Sequence, residues 1–209
     1  MNKIILAIAW VAGWIHVFGF SPEGGQSTLA FISEVMKTEN RQVDPLVFMV
    51  FNLLGIWPFI MVAMLVQDEQ GRLKAWPFAF SSMILGNSAL YIYLFIRKPQ
   101  TNFQQPITPL IRFAESKLLA GALLALTLAL FFYGFSEGDF MVYREVWTTH
   151  FFVNVMTVDF FLFTIAFALI LADDMRRREM PINRYFWLYA LMPVLGATIY
   201  LLLRPPLPK

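Results

Sequence analysis

A chain of 209 residues in which 58% are hydrophobic and only 14% are charged is too apolar for an ordinary soluble domain and reads as a membrane protein. Its net charge of +2 is spread over loops and offers no basic face, so nucleic acid is not expected as a partner. The absence of cysteine removes disulfides, thiolate metal sites and a Cys nucleophile.

Crossing about 30 Å of hydrocarbon takes about 20 mostly apolar residues, and runs of that kind occupy residues 4–20, 46–66, 75–96, 118–135, 151–172 and 186–203. The first resembles a leader peptide, but its length, its Trp10, Trp14 and His16, and the lack of a small-residue cleavage site read as a retained span. Residues 21–44 form a polar connection in which the apolar spacing of 29–36 suits a surface helix. Asp44-Pro45 then caps the second run, with proline at the first helical position. Residues 97–105 are a polar, proline-punctuated linker. Thr108-Pro109 starts an amphipathic run-in, expected to feed one long helix that ends near Gly134. Pro58 and Pro193 lie inside the second and sixth runs and are expected to kink them.

The two halves are similar in order. Gly19-Phe20-Ser21-Pro22-Glu23-Gly24 recurs as Gly134-Phe135-Ser136-Glu137-Gly138. Asn52 falls opposite Asp159, Asp68 opposite Asp174, Gly86 opposite Gly196, and Tyr93-x-x-x-Arg97 opposite Tyr200-x-x-x-Arg204. The predicted fold is all-α, with six transmembrane helices arranged as two three-helix units, 1–99 and 118–209, joined by residues 100–117. Three spans per unit make the second enter in the opposite direction, an inverted repeat. The more basic side, headed by Arg176-Arg177-Arg178, then places both termini away from the cytoplasmic face, and those three arginines are candidate anchors on anionic headgroups.

Asp159 is the one formal charge inside any of these runs, which makes it a candidate ligand or proton site, with hydrogen-bonded packing between helices as the alternative. Asn52, its repeat counterpart, is its expected partner, and Asn87 joins them as a polar residue of the third run. His16 and His150 are candidate ligands for a pigment magnesium or haem iron, although a lone histidine is more often a hydrogen-bonded packing residue. No catalytic constellation is present: the chain lacks His-Glu-x-x-His, Glu-x-x-His pairs, a nucleophile elbow and a phosphate loop.

The segment Trp147-x-x-x-Phe151-x-x-x-Val155-Met156-x-x-Asp159-Phe160, followed by Asp173-Asp174-Met175-x-Arg177-Arg178 and Tyr200-Leu201-Leu202-Leu203-Arg204-Pro205, resembles a group of uncharacterised membrane proteins of cyanobacteria and plant plastids. The resemblance covers residues 135–208 and departs at Ala197-Thr198. It implies a thylakoid or plasma membrane of a photosynthetic organism and carries no activity. The leading expectation is a non-catalytic protein that sits in the lipid bilayer and binds a carotenoid, a chlorophyll or another lipid, or assists a photosynthetic membrane complex. The alternatives are a small secondary transporter with an Asp159/Asn52 site and an isoprenoid-modifying or carotenoid-modifying enzyme.

Overall fold

The computed structural model describes residues 3–37, 43–68, 74–99 and 106–207, and these contain helices and no strand. In an apolar medium each backbone polar group must be satisfied within its own segment, and helices do this. In chain order they are α1 (Lys3–Gly19), α2 (Thr28–Val35), α3 (Pro45–Leu65, extended by a 3-10 turn Val66–Asp68), α4 (Ala75–Leu85) and α5 (Ser88–Ile96). Then come α6 (Pro109–Ala114), α7 (Lys117–Glu137), α8 (Phe140–Thr149), α9 (Phe151–Arg177), α10 (Arg184–Leu191) and α11 (Leu195–Leu203). Three stretches, Pro45–Asp68, Lys117–Glu137 and Phe151–Arg177, are long and apolar enough to cross a membrane.

The expected caps form. Asp44 Oδ1 accepts the Leu46 amide at 2.8 Å, with Pro45 opening α3. Thr108 caps α6, but Ser116 accepts the amides of Leu118 and Leu119 and starts α7 afresh, so the run-in and the fourth apolar run are separate helices. Of the expected linker, residues 100–105 lie outside the described residues.

Side-chain contacts set the directions. α3 and α9 lie side by side and run the same way: Phe51 meets Phe152 at 6.2 Å near their starts, Trp57 meets Phe163 at 5.9 Å, and Asp68 meets Arg177 at their ends. α7 runs against α3, with Phe48 and Tyr133 at 5.7 Å, and α1 runs against α9, with His16 and Asn154 at 2.8 Å.

The third and sixth apolar runs are hairpins and not single helices. Phe78 on α4 and Tyr93 on α5 have ring centroids 5.4 Å apart, whereas the same residues on one continuous helix would be about 22 Å apart. Gly86 turns this hairpin at φ 63°, in the left-handed region that only glycine enters cheaply. In the second hairpin Tyr189 and Tyr200 stand 5.4 Å apart, and the backbone of Gly196 rests against that of Tyr189. Pro193 therefore sits in a full reversal where only a kink was expected.

Each hairpin returns to the face it left, because Arg97 after α5 reaches Asp68 after α3, and Arg204 after α11 reaches Asp174 near the end of α9. The expectation of two inverted three-helix units does not hold. With a hairpin in place of a third crossing, both halves start from the same face and run in the same direction. Equivalent positions still make equivalent contacts. Lys3 Nζ donates to Phe95 O at 2.7 Å near the end of α5, and Lys117 Nζ donates to Leu202 O and Arg204 O at 2.6 Å at the end of α11. The segments that follow α1 and α7 also occupy matching places. The Phe151 amide donates to Gly24 O at 3.0 Å at the start of α9, and the Asp139 amide, next to Gly138, donates to Asp44 Oδ2 at 3.0 Å at the start of α3.

The C-terminal ends of α3, α5, α9 and α11 meet at one face, concentrating the partial negative charge of four helix dipoles. A buried ion cluster compensates them. Asp68 pairs with Arg97 and Arg177, Asp173 with Arg97, and Asp174 with Arg177, Arg178 and Arg204. Glu115 closes the cluster against Arg178 at 2.7 Å and Arg204 at 2.8 Å, and the Tyr200 hydroxyl donates to Asp174 Oδ2 at 2.7 Å. Of the three arginines expected at the headgroups, Arg177 and Arg178 are thus buried, and only Arg176, which reaches Asp173 at 3.5 Å, keeps a largely accessible side chain, 55% exposed. Removing one partner from such a cluster strands a buried charge. We expect Arg177→Ala to lower stability by about 3–5 kcal/mol, while Arg176→Ala changes it by less than about 0.5 kcal/mol. Unfolding of the detergent-solubilised protein measures both, and equal effects would contradict the assignment.

Candidate functional site

The hairpin that ends at Arg97 has its turn inside the bundle, at the level of Asp159. Asn87, fully buried at that turn, donates through Nδ2 to Asp159 Oδ1 at 2.5 Å. The next turn of α5 is anchored to α9 as well, the Tyr91 hydroxyl donating to Leu162 O at 2.9 Å. The Trp10 indole of α1 donates to Ser88 at 3.2 Å. Asp159 lies about 12 Å along α9 from its start at 1.5 Å per residue, which places its carboxylate well inside the apolar layer.

Gly86 is required here twice over. Its φ is 63°, and a Cβ on it would overlap Asp159 Oδ2. The glycine thus leaves one carboxylate oxygen uncovered. No other side chain among the described residues donates to that oxygen or to Asn52 Oδ1, since Asn52 spends its Nδ2 on Phe48 O of its own helix at 2.8 Å. The expected Asn52–Asp159 contact is therefore not made, and Asn87 takes that place.

Asp159, Asn52 and Asn87 line one cavity of about 620 Å³ between α1, α2, α3, the α4–α5 turn and α9. Its walls are mostly apolar, including Trp10, Phe51, Val155 and Leu162. At its mouth Trp14, Met36, Met83, Ile84 and Leu85 are exposed on the surface of the helical bundle. Among the described residues no Lys, Arg or His lines it. Leu54 does, and its carbonyl lacks the usual amide donor because residue 58 is proline. The second hairpin turns at Met192-Pro193-Val194, between α10 and α11, so that turn carries no side-chain amide and only the first half builds a polar site.

The candidate pigment or metal ligands lie elsewhere. His16 Nε2 meets Asn154 Oδ1 at 2.8 Å; Ser21 donates to the same oxygen at 2.9 Å, and Asn154 Nδ2 donates to Trp147 O at 3.1 Å. An amide oxygen only accepts, so His16 carries its proton on Nε2. His150, ahead of α9, meets the Phe31 ring in a tilted contact at 4.9 Å with both ring nitrogens unpartnered, and burial holds its pKa below the usual histidine value. Among the described residues no three His, Asp or Glu side chains come together in a way that could hold a metal ion.

The cavity was not legible in the apolar pattern. Its one advance signal was the density of small and polar residues, Ser81, Ser82, Gly86, Asn87 and Ser88, in an otherwise apolar run. No family model, curated protein or solved structure matches this chain.

Gly86→Ala tests the geometry. A methyl group there meets the carboxylate and a backbone conformation costly for alanine, so the variant should lose about 1–3 kcal/mol of stability and close the polar end of the cavity. Gly121→Ala, at a position where a Cβ meets nothing within 4 Å, should be neutral in the same unfolding assay.

Proposed function

We propose that this chain is a non-catalytic integral membrane protein that holds a lipophilic small molecule in the cavity beside Asp159. The observation that carries this reading is the cavity itself. Its volume of about 620 Å³ falls in the range of small-molecule sites, about 300–1,000 Å³, and it has their usual make-up of apolar walls around a few convergent polar groups. Its mouth is rimmed by exposed apolar side chains at a level where lipid surrounds the bundle, so a ligand enters from the bilayer without passing through water. A chlorophyll tail or another single-chain lipid fits that description. A place beside a photosynthetic complex, in a thylakoid or plasma membrane, is supported by the resemblance of residues 135–208.

In this reading α1, α3, α7 and α9 cross the membrane, and the two hairpins are re-entrant. α1 measures about 25 Å at 1.5 Å per residue, close to the roughly 30 Å of hydrocarbon. Charge supports the arrangement: among the described residues every Lys and Arg except Lys37 and Arg144 belongs to the face where the hairpins begin and end. The positive-inside rule turns that face, with both ends of the chain, to the cytoplasm or its equivalent, the reverse of the orientation drawn from six crossings.

A secondary transporter is the second reading. It is favoured by interrupted helices at matching places in the two halves, one of them turning beside a carboxylate inside the membrane, and transporters built from same-direction repeats share this plan. Extraction in mild detergent, followed by solvent extraction and mass spectrometry, separates the readings. Binding predicts about one lipophilic molecule per chain, lost in Gly86→Ala. Protein free of any lipophile that drives proton-coupled flux in liposomes would overturn it in favour of transport.

A further inference from the structure

The polar end of the cavity says what kind of headgroup fits. Three oxygens are offered there: Asp159 Oδ2, Asn52 Oδ1 and Asn87 Oδ1, the amide nitrogens of both asparagines being turned to Phe48 O and to Asp159. No side chain among the described residues donates to any of the three. Among the described residues no cationic side chain lines the cavity, so none of them compensates a negative headgroup, and Asp159 repels one. Acceptors that open into an apolar cavity with no side-chain donor beside them favour a ligand that supplies the hydrogen.

Resting on the proposed lipophile-binding reading, we infer that the ligand is a single-chain amphiphile whose polar end is an uncharged or cationic hydrogen-bond donor, a long-chain alcohol or amine. Its hydroxyl or ammonium donates to Asp159 Oδ2 and Asn52 Oδ1 at the Gly86 turn. Its chain lies along Phe51, Leu162 and Trp14 toward the mouth. Counting roughly 30 Å³ per non-hydrogen atom, as for a molecule of liquid water, the cavity volume of about 620 Å³ takes a ligand of about twenty such atoms.

Trp10 and Trp14 line the cavity, so a chain brominated near its middle quenches their fluorescence on binding. Delipidated protein in detergent is titrated with four probes of equal chain length: a brominated alkanol, the alkylamine, the alkyl sulfonate and the hydrocarbon. The alkanol and the amine should half-saturate at a concentration at least about tenfold below that of the sulfonate, and below that of the hydrocarbon, a difference of about 1.4 kcal/mol. Asp159→Asn should bring the sulfonate to within about threefold of the alkanol, which corresponds to about 0.65 kcal/mol. Trp14→Phe should reduce the quenching amplitude and leave the ranking unchanged. Equal binding of all four probes would overturn the donor-headgroup inference and leave the lipophile-binding reading in place. Saturable quenching by none of them would overturn that reading as well. If Asp159→Asn does not fold, the ranking in the unaltered protein still decides.

Discussion

The gathering of four helix C-termini at one face is the constraint on which the rest of this structure depends. Carbonyls and dipoles of α3, α5, α9 and α11 would repel one another there without compensation, and Arg97, Arg177, Arg178 and Arg204 supply it, balanced by Asp68, Asp173, Asp174 and Glu115. Because Arg97 must end beside Asp68, the residues between them have to go into the bundle and come back. Twenty-odd apolar residues can do so only by reversing near the middle. The reversal leaves a backbone turn at a depth where backbone is normally helical, and such turns are tolerated only against protein or a cavity. Here it meets both, Asn87 bonded to Asp159 on one side and the open cavity on the other.

The structural cluster and the candidate site therefore divide the charged residues by task. The cluster pairs its buried acids and arginines with one another, and its members also bond Gln67, Tyr200 and the Ala63 and Ala114 carbonyls. Asp159 is the opposite, a carboxylate with one oxygen engaged and one turned to an accessible space. Buried ion clusters of the first kind hold a register, whereas an isolated ionisable group within a membrane is a functional candidate by default.

Much of this was legible in the sequence. Caps at Asp44-Pro45 and Thr108-Pro109, the surface helix at α2, the singular position of Asp159, and the pairing of Asp68 with Asp174 and of Arg97 with Arg204 all follow from local chemistry or from comparing the halves. The hairpins were not legible, because an apolar run of 22 residues has the same hydropathy whether it crosses or turns back. Gly86-Asn87 was the sole local signal of a break, and its meaning came from Asp159, more than seventy residues away. That one misreading carried two others with it: the inverted repeat and the placing of Arg177 and Arg178 at the headgroups. Asn52 failed as the partner of Asp159 for the same reason, since same-direction halves set α3 beside α9 in parallel and leave the hairpin turn to supply the amide.

The reversal of α4 into α5 is the claim on which the site stands, and a distance tests it. With no native cysteine in the chain, spin labels attached at Lys74→Cys and Lys98→Cys flank the hairpin cleanly. Pulsed electron resonance in a lipid bilayer should give a separation well under half of the about 36 Å that an unbroken helix of that length would span. A distribution centred near the longer distance would mean that the third apolar run crosses the membrane, and would remove both the turn at Gly86 and the cavity it opens beside Asp159.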